Sequence, residues 1–214
     1  RSADNDPGLA SLVNANTPAV CVVGKSWDFH VKVALGIKNE ENLDNIKETT
    51  KHFVKNNKEF LFDAEHFFDG YKNNPEFSLR VLEAASIAGA ERLILCDTNG
   101  GSLPQDVSEA VASVASHLDT GIGVHLHNDT GCGVANALAG VMAGAIQVQG
   151  TINGYGERTG NCDLVSIIAN LSLKMGIETI PSQNLELLTP VSHHVAELVN
   201  ITLNPQQPYT GASA

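Results

Sequence analysis

The chain has 214 residues, 43% of them hydrophobic and 17% charged, with a formal net charge of −11. That is globular composition with enough apolar side chain for one sizeable core. The acidic balance, without any Lys/Arg block, argues against nucleic acid and anionic membrane surfaces as partners and leaves small anionic substrates open. No apolar run approaches the ~20 residues of a membrane span. The opening "RSADNDPGL" lacks Met and has no signal-peptide shape. Cys21, Cys96, Cys132 and Cys162 form no CxxC pair. They read as buried, reduced thiols, which suits a cytoplasmic protein.

Short apolar runs alternate with stretches of helical period. "AVCVVG" (19–24) reads as a strand, and Leu43, Ile46, Phe53 and Val54 mark the helix after it. "EFLFDAEH" (59–66) is a second strand. Pro75 can open the next helix at its first turn, with Phe77, Val81, Leu82, Ala85 and Ala88 inward. "RLILCDTNGG" (92–101) is a third strand, and Pro104 opens a helix with Val107, Val111, Val114 and Leu118 inward. "GIGVHLHND" (121–129) is a fourth, followed by a glycine- and alanine-rich helix. "AIQVQGTINGYGER" (145–158) is the fifth strand and its exit, and "CDLVSIIANLSLKMG" (162–176) closes that unit. Beyond Gly176 helical stretches continue without a strand.

Apolar strands separated by helices predict a parallel α/β sheet buried on both faces. An open doubly wound sheet and a (β/α)8 barrel both fit, although five units are too few for a closed barrel of eight. Polar residues gather at the C-terminal end of every strand: Lys25–Ser26, Asp63–Glu65–His66, Asp97–Thr98–Asn99, His125–His127–Asn128–Asp129, and Asn153 with Glu157–Arg158. In parallel α/β folds that edge binds ligands.

Residues i and i+2 of a strand point to one side. His125 and His127 therefore present two imidazoles to one point, which suits a divalent metal; a hydrogen-bonded pair in a polar rim is the alternative. Asn161 offers an amide oxygen as a neutral ligand, or simply a turn. Glu65 supplies a carboxylate as base, acid or orienting group. Thr98 supplies a hydroxyl for an oxyanion. His193–His194 has no other ligand type nearby in sequence and reads as structural.

The phrase "HLHNDTGCGVANALAGVMAGAIQVQGTINGYGERTGN" resembles the second signature of the acyl-CoA Claisen-condensing and lyase barrels, the group of 2-isopropylmalate, homocitrate and citramalate synthases and HMG-CoA lyase. "GKSWDFHV", "FDAEHFFDGYK", "CDTNGGSLP" and "QPYTGASA" extend the likeness over the whole chain, closest to the citramalate synthase branch. The resemblance implies a (β/α)8 TIM barrel, here a partial one holding strands four to eight in residues 1–176, with 177–214 as the helical and loop start of a C-terminal subdomain. It implies a fragment of a longer enzyme, because the family's first-strand Asp-x-x-x-Arg-Asp-Gly phrase is absent. It further implies condensation of acetyl-CoA with a 2-oxo acid, in isoleucine or leucine biosynthesis, on a Zn, Mn or Mg ion. His125, His127 and Asn161 would be metal ligands, Glu65, Thr98 and Arg158 catalytic residues, and Ser26, His30 and Thr98 substrate contacts. The alternatives are a catalytically incomplete barrel fragment and an acyl-CoA lyase; the lyases of this group carry a catalytic Cys in the Gly-rich loop after strand eight, and here Cys162 follows Asn161, which disfavours a lyase. Open apolar edges on a partial sheet predict a homo-oligomer.

Overall fold

The computed structural model describes residues 3–214. In chain order it contains α1 (Pro7–Val13), β1 (Ala19–Lys25), α2 (Asp28–His30, continuing into a π-turn at Val31–Leu35), α3 (Asn39–Lys55), β2 (Glu59–Glu65), α4 (Phe67–Asn73) and α5 (Pro75–Ile87). These are followed by β3 (Arg92–Asp97), α6 (Pro104–His117), β4 (Gly121–Leu126), α7 (Gly133–Met142), β5 (Gln147–Gln149), α8 (Leu164–Leu173) and α9 (Leu188–Leu198).

Local chemistry sets several boundaries. Pro75 and Pro104 occupy first turns, where a missing N–H costs nothing. The Asn74 amide oxygen caps α5 by accepting from Phe77 N at 3.2 Å, and Asp163 caps α8 through Val165 N at 3.0 Å. The fifth strand is shorter than its sequence suggests: after Gln149 the chain turns through a 3-10 segment at Ile152–Gly154, with Asn153 at φ 62. Val54, one of the residues that mark the period of α3, is 40% exposed at its end. Helix α4 carries no sequence mark of its own. It follows β2 after one left-handed residue, His66, at φ 57 and ψ 33.

The strands run in the order β1-β2-β3-β4-β5, every neighbouring pair parallel. A doubly wound sheet reverses direction at a switch point; this one does not. Right-handed crossovers, the rule for parallel neighbours joined by a helix, place the connecting helices on one side. Phe60, Phe62, Ala64, Leu93, Leu95, Ile122, Val124 and Leu126 face that side and form one core with Leu43, Ile46, Phe53, Val81, Leu82, Val107, Val111 and Val114. The alternate residues line the other face: Cys21, Asp63, Cys96, His125 and Gln149.

That face is concave. Gln149 Nε2 on β5 lies 3.1 Å from Asp63 Oδ1 on β2 and 3.7 Å from Cys21 Sγ on β1, although β5 pairs with neither strand. The sheet is therefore a curled part of a TIM barrel. β1 and β5 are its free edges, with a hollow of about 340 Å³ beside β1 and one of about 680 Å³ beside β5.

Residues 177–214 fold against the exit of β5. The Ser192 hydroxyl donates to Asn153 Oδ1 at 2.6 Å, Asn153 Nδ2 donates to Ser192 O at 2.8 Å, and the Tyr209 hydroxyl donates to Asn170 Oδ1 at 2.8 Å. His193 Nε2 sits 3.0 Å from Thr210 O, a structural contact.

Candidate active site

Strand β4 delivers His125 and His127 to the C-terminal rim, and the Gly-rich exit of β5 folds back to meet them. His127 and Asn161 form a bridge outside the strands, Asn128 N donates to Gly160 O at 2.9 Å, and Cys162 N donates to Leu126 O at 2.9 Å. Asn161 Nδ2 thereby lies 3.2 Å from His125 Nε2 and 3.5 Å from His127 Nε2. Two glycines make this fold-back possible. A Cβ on Gly160, at φ +95, would stand 2.0 Å from Gly154 O, and one on Gly156 would stand 2.0 Å from Asn161 Oδ1.

The three expected ligands thus share one point. The arrangement suits a divalent cation on donor chemistry: both Nε2 atoms point at one amide, which presents an oxygen after a half-turn of its side chain. Burial, followed by the neighbouring His125, holds His127 below the usual histidine range, so it is a neutral donor at neutral pH. Its Nδ1 is buried without a hydrogen-bond partner. Among the described residues no three His, Cys, Asp or Glu side chains converge on a metal position. The set is two imidazoles and an amide, and Glu157 Oε1 stands 4.0 Å from His127 Nε2.

The other expected residues form a second group along the rim. Glu65 ends β2 in an ion pair with Lys25, each side chain about a quarter exposed. Ser26 is fully buried; its hydroxyl donates to Glu65 O at 2.7 Å, which ties β1 to β2. Thr98 Oγ1 accepts from His66 N at 2.9 Å, which leaves its own proton free. His30 packs edge-on against His66 with ring centres 4.4 Å apart and lies 4.8 Å from Trp27. Burial, then the charge of His66, lowers its pKa. The His66 Nδ1 faces Asp69 Oδ2 at 2.9 Å.

Arg158 is committed elsewhere. Its Nε and Nη2 donate to the two oxygens of Asp129 at 2.9 and 3.0 Å. Nη1 donates to Glu157 Oε1 at 3.0 Å, and Nη2 also donates to Thr98 O at 2.8 Å. The hydrogen bond from Arg158 holds Asp129 below the usual carboxylate range. The guanidinium fastens the exits of β3, β4 and β5 together, and none of its nitrogens is left without a partner in the protein.

Two contributors carry no motif. Gln149 Oε1 receives His125 Nδ1 at 2.8 Å, and Asp63 receives Gln149. The alternation in "IQVQG" is the one sequence sign that Gln149 shares the concave face. The thiols also divide by position. All four are free, with Cys96 and Cys162 buried, Cys132 partly so, and Cys21 exposed on the edge strand rather than buried. Cys162 donates to Gln149 O at 3.2 Å, and burial pushes it up to about 11.

The (R)-citramalate synthase of Aquifex aeolicus (strain VF5) is 51% identical over 215 residues, covering all of this chain and 41% of its own length. That of Geobacter sulfurreducens is 46% identical over 211 residues, covering 99% of this chain and 40% of its own. The chain spans about two fifths of the length of these relatives. A solved HMG-CoA lyase of Bacillus subtilis aligns with TM-score 0.80 over 93% of this chain and 69% of its own at 22% identity, a likeness of fold. The family profile described as HMGL-like matches residues 3–195. The chain belongs to the HMGL-like family.

Proposed function

We propose that this chain forms part of the barrel of a metal-dependent acyltransferase. The enzyme joins acetyl-CoA to a 2-oxo acid, pyruvate first and 2-oxoisovalerate second, in the cytoplasmic synthesis of isoleucine or leucine. The observation that carries the reading is the meeting of His125, His127 and Asn161 at one point of the rim, in a chain 51% identical to an (R)-citramalate synthase.

His125, His127 and Asn161 would hold a divalent ion, which when bound polarises a 2-oxo carbonyl and offsets charge on the oxygen formed from it. Glu65 is the placed base for the weakly acidic acetyl methyl, held at the rim by its ion pair with Lys25. Thr98 donates a hydrogen bond from its free hydroxyl hydrogen to the substrate carboxylate. His30, between Trp27 and His66, walls the substrate. Arg158 positions the loops that carry Thr98 and Asp129.

Cleavage of an acyl-CoA by a lyase is the second reading, and Cys162 weighs against it. That thiol is 1% exposed and hydrogen-bonded to a strand carbonyl, so it is closed to a substrate. Homo-oligomerisation through the free edges belongs to the same proposal. No helix among the described residues is long and apolar enough to cross a membrane.

The test is thiol release from acetyl-CoA over a panel of 2-oxo acids with Mg²⁺, Mn²⁺ or Zn²⁺. It is run on the chain and on a form extended upstream. Release with pyruvate, lost in His125→Ala, supports the proposal. A preference for 2-oxoisovalerate moves the substrate to the isopropylmalate branch. Silence of the extended form with every 2-oxo acid sinks the synthase reading.

A further inference from the structure

The concave face carries a hydrogen-bond chain that the reaction above does not use. Asp63 on β2 is 8% exposed. Its Oδ1 accepts from Cys21 Sγ at 3.0 Å and from Gln149 Nε2 at 3.1 Å. Gln149 Oε1 then faces His125 Nδ1 at 2.8 Å. A carboxylate only accepts, so the amide must turn its NH2 towards Asp63; the reverse orientation would set oxygen against oxygen. The amide oxygen is then the end left for His125, and an oxygen at 2.8 Å requires a hydrogen on Nδ1. A neutral imidazole protonated at Nδ1 carries its lone pair on Nε2. Nε2 is the atom that faces Asn161, 3.2 Å away.

We infer that Asp63 and Gln149, reaching across the barrel interior from β2 and β5, are positioning residues that fix the tautomer of His125 and so select Nε2 as its donor atom. Neither touches the donor point itself. The order of control runs from Asp63 to Gln149 to His125, because only the carboxylate has a single possible role. The use of that donor for a metal rests on the function proposed above; the tautomer does not.

The protein is labelled with ¹⁵N-histidine, and the His125 ring nitrogens are read by NMR in the wild type, in Gln149→Leu and in the double variant Gln149→Glu with Asp63→Asn. Zn²⁺ binding to each is measured by calorimetry. The wild type shows hydrogen on Nδ1. Gln149→Leu loses that preference and binds Zn²⁺ ~10–100-fold more weakly, as expected when the group orienting a ligand is removed. Gln149→Glu combined with Asp63→Asn, in which the amide at 63 can donate to one carboxylate oxygen while the other faces Nδ1, restores both. Asp63→Asn is the second variant, should Gln149→Leu fail to fold: with an amide at 63 the orientation of Gln149 is no longer dictated, and the tautomer becomes mixed. An unchanged Nδ1 hydrogen in folded Gln149→Leu overturns the inference. A wild type that binds no Zn²⁺ but whose tautomer shifts as described upholds the positioning and defeats the metal-dependent reading instead.

Discussion

Cys21 belongs to an edge strand and is exposed as a residue, yet its thiol turns into the curl of the sheet. Loss of water comes first, and the hydrogen bond and charge of Asp63 follow, in pushing it up to about 12. Only the thiolate attacks an alkylating reagent. The pKa is raised, so the reactive form is scarce at neutral pH and grows as pH rises. Iodoacetamide labelling of Cys21 should therefore still be accelerating at pH ~10, where an ordinary thiol of pKa ~8.5 has levelled off. Asp63→Asn removes the charge and speeds labelling at pH 8, as read by mass spectrometry. Identical rates in the two proteins would show that Asp63 does not act on the thiol. His125 and His127 were legible at this scale because two-residue spacing on a strand has one geometric meaning, whereas the choice of Asn161 as a ligand came through the family resemblance. Gln149 was not: it stands in a three-residue strand, and its partners lie 24 and 86 positions away.

At the scale of elements, the exit loop of β5 shapes the site more than the strand does. Gly160→Ala puts a Cβ 2.0 Å from Gly154 O at φ +95. Left-handed strain of this kind costs on the order of 1–3 kcal/mol, and the group that must move is the Gly154 carbonyl. We expect a melting temperature lower by roughly 2–4 °C per kcal/mol for a chain of this size, together with weaker Zn²⁺ binding, because the Gly154 carbonyl holds the Asn161 N–H. Loss of stability alone, with Zn²⁺ affinity intact, would separate the loop from the donor point. Removing the α5 cap with Asn74→Ala should cost about 1 kcal/mol in denaturant unfolding and leave Zn²⁺ binding alone. First-turn prolines made α5 and α6 readable. Helix α4 escaped because its start depends on the left-handed turn of His66, which no local residue preference announces. The fifth strand was overextended because its apolar pattern runs on into "TINGYG", where Asn153 and the glycines bend the backbone away.

For the molecule as a whole, strand order settled what periodicity could not. Apolar strands and helices predicted a parallel sheet but fitted barrel and doubly wound sheet alike; the consecutive order β1 to β5 distinguishes them. The likeness to a barrel family carried the rest. The free edges carry exposed apolar side chains: Val23 on β1 is 60% exposed and Ile146 beside β5 66%. Edges of this kind template pairing between chains. Light scattering should show mass rising with concentration, and Ile146→Lys should shift the protein towards monomer; a clean monomer at high concentration would count against association.

The reach of Gln149 to Asp63 has a kinetic consequence. Each strand pairs only with the one before it, so the sheet can grow as the chain is made. The contact across the interior joins residues 86 apart, and no strand pairing brings them together. Its closure must wait until β2 to β5 are aligned and curled, and loop-closure entropy makes such distant contacts slow to form. The tautomer of His125 is then decided at the end of folding, after the hydrophobic core is in place. A small ligand that recognises only the curled sheet would favour that final step and stabilise the native protein by RT ln(1 + [L]/Kd).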